Sequence, residues 1–366
     1  MLNIYAGSNA LKTIQEHGFK QELFTNFLGA SGGPKWFTLF GLDKYLFGEF
    51  FKERTTELNI IGSSAGAFRA ACFAQNDPVA AISRLANKYA RTAYADKPSV
   101  KDISDSAVNM LDHLFGNNGI NEIINNKIFK AHFIVAKSKG LTSYDNRLAQ
   151  VAGLLASMLL NKIDRKLLAF QYERYIYRPS SSHIKINDPY NFSSHYIDFT
   201  KENIGSALLA SGSIPLVMSG IKNIANSPKG TYRDGGIIDY HFDFTVEHKL
   251  LEHEPVKHKS IEHNNKTQGL TLYPHFSPKP KAGWFDKNSS RQVLAKSYEN
   301  TVLIVPSSKF IASLPYKKIP DRNDFKNLAT DTRIKYWLTV LSETDRLAES
   351  LNELIIKQDL SRIQRF

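Results

Sequence analysis

The sequence predicts an α/β fold. Three observations carry that expectation. A short apolar strand turns abruptly into an apolar helix across residues 57–75. A glycine cluster joins a strand end to a second apolar helix across residues 26–51. Helix–strand alternation runs through residue 75, and further apolar strands recur downstream. The chain has 366 residues, 42% hydrophobic and 22% charged. That is a globular composition with ample material for a large core, either one enlarged α/β domain or a core with a smaller attached region.

The first glycine cluster lies in NFLGASGGPKWFTLFGLDKYLFGEFF, residues 26–51. Phe27 and Leu28 close a strand, and Gly29-Ala30-Ser31-Gly32-Gly33 forms a loop with wide backbone freedom. Pro34 suits the first turn of the helix that follows, which carries Trp36, Phe37, Leu39, Phe40, Leu42, Tyr45, Leu46 and Phe50. Such a loop can cradle a phosphate, form an oxyanion hole or simply start a helix. The nucleoside-triphosphate string is absent, because Lys35 is not followed by a hydroxyl residue, and the dinucleotide glycine pattern is absent too. As an oxyanion hole, the loop offers the backbone N–H groups of Gly32 and Gly33 as its best donors. Lys35 can steady the loop or attract an anionic headgroup.

ELNIIGSSAGAFRAACFAQ, residues 57–75, contains Gly62-x-Ser64-x-Gly66. Leu58 to Ile61 read as a buried strand, and Ala67 to Ala74 as a helix of small apolar residues that Asp77-Pro78 stops. Ser64 therefore falls on a tight strand-to-helix turn, where its hydroxyl is exposed and Gly62 and Gly66 leave room. The helix N-terminus beneath it supplies free N–H groups and partial positive charge. A plain glycine turn is the alternative to a nucleophile. Cys72 on this helix reads as an inert core thiol, and a single cysteine excludes an intrachain disulfide framework.

Beyond residue 75 the periodicity predicts a helix at 79–93, a loop at 97–106, helices at 104–115 and 119–128, and a strand at 130–138. Residues 146–169 read as helical; LAQVAGLLASMLL (148–160) is too short to span a bilayer and reads as a helix that is buried, the default, or that lies against lipid or covers the site. Strands follow at 172–179 and 194–200, joined by serine- and proline-rich links. Residues 95–190 could form a cap or insertion. IGSALLASGSIPLVMSG (204–220) reads as a helix through Leu209, then a turn broken at Pro215. In KGTYRDGGIIDYHFDF (229–244), Asp234 opens a second tight loop, Gly235-Gly236, with apolar residues around Asp239 and Asp243. Such an acid is either a turn cap or a positioned functional carboxylate.

Together and in this order, the glycine box, Gly62-x-Ser64-x-Gly66 and Asp234-Gly235-Gly236 resemble the patatin-like phospholipase family. Ala210-Ser211-Gly212-Ser213-Ile214-Pro215 resembles a further family segment. The likeness runs in four islands from about residue 25 to about residue 240. It implies a three-layer α/β/α fold with a central, mostly parallel sheet. It also implies a Ser–Asp dyad without histidine: Ser64 as nucleophile, Asp234 as base, and Gly32 and Gly33, helped by Ala65, as oxyanion donors. The chain departs from the family pattern twice: Trp36 stands where the glycine box usually ends in glycine, and Ser213 replaces the usual alanine. The chemistry needs no metal and no cofactor. Its expected substrate is a phospholipid or another lipid ester.

The last third reads as an extension, residues 269–366, packed on the core of a single 366-residue unit. It contains strands at the start of 269–287 and at 300–308, and two amphipathic helices in 325–357. His248, His253, His258 and His263 recur every five residues, which matches neither a helix face nor a zinc pattern. The formal charge is +12, which favours anionic membranes or polyanions. No nucleic-acid module is visible, so peripheral contact with an anionic lipid surface is the better expectation. Trp284 and Phe285, beside Lys281 and Lys287, either make that contact or pack their loop down. No signal peptide or spanning segment is evident, and the expected location is cytoplasmic or peripheral to a membrane. The rival enzyme reading is an α/β-hydrolase triad in which Ser64 and Asp234 are joined by His241, His263 or His275. The rival without chemistry is a lipid-surface binding protein.

Overall fold

The computed structural model describes residues 1–248 and 269–366. His253, His258 and His263 lie outside the described residues. The strands are β1 (Leu2–Ala6), β2 (Phe24–Gly29), β3 (Leu58–Ser63), β4 (Phe129–Ser138), β5 (Tyr172–Arg178), β6 (Ile184–Asn187), β7 (Ser194–Asp198), β8 (Ile221–Lys222), β9 (Thr231–Asp234), β10 (Thr245–His248), β11 (Leu270–Pro274), β12 (Thr301–Pro306) and β13 (Ile363–Arg365). The main sheet runs β13-β1-β12-β11-β2-β3-β4-β5-β7, with β9 and β8 attached beside β4. Along that path only β1–β12 and β4–β5 are antiparallel; the other pairs are parallel. This is an α/β fold with a central, mostly parallel sheet.

Alternation along each strand sends side chains to two separate cores. Leu58 and Ile60 of β3, and Phe133 and Val135 of β4, face the larger one, where they meet the helices Ala65–Phe73, Pro78–Ala90 and Thr330–Glu343. Ile61 of β3 and Ile134 of β4 face the other side, against Phe242, Phe244, Tyr273 and Phe276. The C-terminal third supplies β11, β12 and β13 to the sheet. Its last two helices pack on the helix Phe40–Tyr45, where a Cβ on Gly41 would overlap the Thr344 carbonyl oxygen. Residues 95–190 supply β4 and β5, which lie inside the sheet.

Several local expectations need correction. The helix expected after Pro34 is three consecutive pieces: a 3-10 segment Gly33–Leu39, an α-helix Phe40–Tyr45 and a π segment Leu46–Phe50. Residues 97–106 are not all loop. A helix starts at Val100, because Ser99 and Asp102 form a capping box that serves its first turn. Asp77-Pro78 opens the next helix, with the Asp77 carboxylate accepting from the Ala80 N–H. The helix at 146–169 ends at Ile163, where Asp164 turns the chain into a 3-10 segment. The link after β5 contains β6, which pairs with β10, a partner too distant in sequence to be foreseen. Residues 148–160 are not buried on their apolar side: the helix Arg147–Ile163 buries Gln150, Gly153, Ser157 and Asn161 instead. Trp284 and Phe285 are half-buried and pack on the cluster around Leu168, Tyr172 and Ile238, the loop-packing alternative. No helix among the described residues is long and apolar enough to cross a membrane.

Candidate active site

Ser64 sits between the last residue of β3 and the helix Ala65–Phe73, with φ 52° and ψ −128°. A non-glycine residue rarely takes that conformation, so the turn holds local strain. The geometry depends on backbones touching. A Cβ on Gly66 would overlap the Gly29 carbonyl oxygen at the end of β2, and one on Gly62 would overlap the Gly66 carbonyl. The helix is further pinned by Arg69, whose guanidinium donates to both carboxylate oxygens of Asp43 at 2.9 and 2.5 Å, all fully buried. Gly66→Ala is expected to destabilise the protein by about 3 kcal/mol or more, because backbone rather than a flexible side chain must give way. A denaturant midpoint within error of the wild type would refute this.

Parallel pairing of β3 with β4 sets Ser63 opposite Ile134, and antiparallel pairing of β9 with β4 sets Asp234 opposite Val135. The strand β9 therefore continues the edge of β4 that β3 leaves. The Ser64 Oγ donates to Asp234 Oδ2 at 2.8 Å, and Asp234 Oδ1 accepts from the Gly236 N–H at 2.7 Å. Burial raises the Asp234 carboxyl above the ordinary carboxylate range. Arg322, the Ser64 and Gly236 hydrogen bonds and Lys287 pull the other way without overcoming it. Gly235 packs against the Ile134 carbonyl, where no side chain would fit.

The segment Ala210–Pro215 braces both partners. The Ser64 N–H donates to Ser211 Oγ at 2.9 Å, and that hydroxyl donates on to the Ile134 carbonyl at 2.7 Å. The Asp234 N–H donates to the Ser213 carbonyl at 3.0 Å. The Ser213 hydroxyl donates to the Leu209 carbonyl at 2.8 Å, so the serine found in place of alanine is satisfied locally.

The glycine box is tied to the same place through Ser31. Its hydroxyl lies 2.7 Å from Ser63 Oγ, its N–H donates to the Tyr240 carbonyl at 3.0 Å, and it packs against Gly236. Ser63 Oγ in turn donates to the Asp239 carbonyl at 2.5 Å. The Asp239 carboxylate takes two bonds from Arg174, at 2.6 and 2.7 Å, which makes it a structural anchor for the loop after Asp234. Gly32 and Gly33 have φ of 152° and 56°. Gly33 begins a helical segment, so its N–H lacks an intrahelical acceptor, as do those of Ala65 and Gly66 at the head of their helix. Gly33, Ser64 and Ala65 line one cavity of about 1240 Å³; Gly32, next to Gly33, packs against Phe276, and Asp234 is bonded to Ser64.

That cavity has an apolar wall of Trp36, Phe68, Leu85, Met110 and Val217. Trp36, the residue that interrupts the family's glycine box, is thus part of the wall. Cations gather around the site. Arg322 lines the cavity and packs over Gly33, and the Lys287 Nζ lies 4.1 Å from the Tyr240 ring centre. The Lys35 Nζ lies 5.5 Å from the Phe276 ring centre, and its amine is lowered chiefly by burial. Arg322 carried no signal in the sequence, because it stands in an irregular segment far from every motif. Lys287 is exposed, with its Nζ held over the rings of Tyr240 and Trp284. Among the described residues no group of three or more potential metal ligands is present. Cys72 is buried, and burial pushes its thiol far up.

Two of the three histidines considered as a third member, His241 and His275, lie among the described residues. His241 and His275 are buried with their rings 4.2 Å apart, edge to face. His241 Nδ1 accepts from the Lys281 N–H at 2.9 Å, and His275 Nδ1 lies 2.6 Å from the Ser277 carbonyl oxygen and 2.9 Å from the Ser277 nitrogen. Burial lowers both, His275 to about 3, so both imidazoles are neutral. Among the described residues neither ring is hydrogen-bonded to Ser64 or Asp234.

Residues 58–241 match the patatin-like phospholipase family. No curated protein matches the chain. The matched span contains Ser64, Ser211 and Asp234 and leaves out the glycine box and the C-terminal third. With about half of its residues in that match, and on an α/β fold of the corresponding kind, the chain belongs to the patatin-like phospholipase family, whose members typically act as lipid hydrolases.

Proposed function

We propose that the protein is a serine acyl hydrolase that cleaves ester bonds of phospholipids or related lipids through a Ser64–Asp234 dyad. The observation that carries the reading is the 2.8 Å hydrogen bond from Ser64 Oγ to Asp234 Oδ2 at a strained strand-to-helix turn. Ser64 attacks the ester carbonyl while its proton passes to Asp234. The tetrahedral oxyanion lies against the N–H groups of Gly32 and Gly33, helped by Ala65, which are fixed before substrate arrives. Collapse expels the alcohol, which takes the proton from Asp234, and leaves an acyl-Ser64. Asp234 then accepts a proton from water as it attacks and returns it to Ser64 Oγ as the bond from that oxygen to the acyl carbon breaks, releasing the fatty acid and restoring both residues. The raised Asp234 carboxyl makes it a better proton acceptor than an exposed aspartate. The apolar wall of the cavity accommodates an acyl chain.

The test is labelling by a fluorophosphonate, together with turnover of short-chain esters and defined phospholipids. Labelling of the wild type that disappears in Ser64→Ala supports the reading, and absence of both labelling and turnover rejects it in favour of a non-catalytic binding role. His241→Gln, His263→Gln and His275→Gln separate dyad from triad. Each folded variant is expected to keep turnover within about tenfold of the wild type, well short of the loss caused by removing a general base. Near-complete loss in one of them, with folding unchanged, would establish the triad.

A further inference from the structure

The helix Arg147–Ile163 is inside out for a soluble protein. Leu148, Val151, Leu155, Met158, Leu159 and Ile163 recur at intervals of three or four residues along one face, Met158 and Leu159 being adjacent, and all are exposed, Leu148 at 81% and Ile163 at 76%. Phe170, at the end of the following turn segment, is 73% exposed. The opposite face is polar or small, and specific bonds hold it inward. Gln150 Oε1 accepts from the Leu216 N–H at 2.8 Å, and the Ser157 hydroxyl meets the Tyr172 hydroxyl at 3.0 Å. Asn161 donates to Asp286 at 2.8 Å and accepts from Arg291 at 3.1 Å. Gly153 sits so close to Thr142 that a Cβ would meet its backbone nitrogen at 2.9 Å. Turning the stripe inward would break all of these buried bonds, so its outward direction is built in.

We propose that this stripe is the face by which the protein docks on an anionic lipid bilayer, with the candidate active site opening beside it. The proposal rests on the lipid-ester reading above. Two observations select a bilayer as the occupant. First, the stripe is continuous with the site: Leu216, bonded to Gln150, is itself exposed and lines the cavity that holds Ser64, and Arg147 at the head of the helix lines it too. Second, the charges fit. Arg147, Lys162 and Lys166 are exposed at the two ends of the helix, where they can reach headgroup phosphates while the leucines enter the acyl boundary. Of the nearby acids, Asp145 is paired with Arg233 at 2.6 Å, and Asp164 accepts from the Lys166 N–H at 2.9 Å.

The test compares wild type, Ser64→Ala and a fourfold variant, Leu148→Gln, Leu155→Gln, Leu159→Gln and Ile163→Gln. Glutamine keeps helix propensity close to that of leucine, and none of the four residues lines the cavity. Co-sedimentation is measured with vesicles of phosphatidylglycerol and phosphatidylcholine, and with phosphatidylcholine alone. Wild type and Ser64→Ala are expected to bind the anionic vesicles alike, less at high salt. The fourfold variant is expected to lose at least about tenfold in partitioning while keeping its thermal midpoint and its turnover of a soluble short-chain ester. Equal vesicle binding by the fourfold variant and the wild type would overturn the proposal. So would a wild-type dimer, seen by light scattering, that the fourfold variant dissociates, since a second copy would then cover the stripe. Vesicle binding that depends on the stripe, in a wild type that turns over no ester, would reject the dyad and leave the docking face standing.

Discussion

Ser64→Ala lowers kcat/KM for ester hydrolysis by at least about 10³-fold while the protein stays folded. The expectation has two parts. In the proposed mechanism Oγ is the attacking atom, and it already directs its proton toward Asp234. Alanine deletes that atom and keeps the backbone, so the loss falls on chemistry. The strain supplies a second readout. Ser64 holds φ 52° and ψ −128°, which alanine must also adopt and glycine adopts freely. Ser64→Gly is therefore expected to be more stable than Ser64→Ala by about 1 kcal/mol and equally inactive. Denaturant unfolding of the pair, alongside steady-state kinetics, measures both. Residual turnover within tenfold of the wild type in Ser64→Ala would remove Ser64 from the mechanism.

Asp234→Asn is expected to cost at least about 10³-fold in turnover while stabilising the fold. The amide keeps the geometry: one oxygen still accepts from the Gly236 N–H, and the new NH₂ can donate to Ser64 Oγ. It cannot take the serine proton. The stability gain follows from the sign of the carboxyl shift. Burial raises the folded-state pKa of Asp234 above its unfolded value of about 4, so the folded protein holds this proton more tightly than the unfolded chain does. Stability from this group is present below the unfolded pKa and falls as pH rises through the interval up to the folded pKa. The variant lacks this loss. Its advantage over wild type should be near zero at pH 4 and larger at pH 8, read from thermal or denaturant unfolding across that range. The acid limb of the wild-type kcat/KM profile should correspondingly lie above the ordinary carboxylate range, because the base must be ionised. An advantage that does not grow with pH would show that Asp234 is not held above its unfolded value.

Much of the core was legible along the chain, for local reasons. The small apolar residues after Ser64 fit a helix lying close to a sheet, and Leu58 to Ile61 fit a buried strand. Gly62 and Gly66 announced a crowded turn, and their contact with Gly29 is that crowding. Where the reading slipped, a local competitor or a distant partner had decided. The capping box of Ser99 and Asp102 extended a helix into an expected loop. The strand β6 exists because β10, nearly 60 residues on, pairs with it. The helix Arg147–Ile163, with its many leucines, fits burial by default, and also a position against lipid or over the site. Its direction was set by four small or polar residues that find buried partners in other segments.

By itself, the sequence determined the class of the fold and a short list of residues fit for acyl transfer, since strand–glycine–helix turns and their residue types are local properties of the backbone. It also determined the family, through motifs that occur in a fixed order. Only the tertiary structure decided which of those residues meet. Ser64 and Asp234 are brought together because β4 pairs with β3 and then with β9 along one edge, a register set by hydrogen bonds between segments far apart in sequence. The same holds for Ser211 and Ser31 as braces, for Arg322 at the rim of the cavity and for the outward apolar stripe. Each depends on through-space packing and desolvation, and neither has a local signature in the order of the residues.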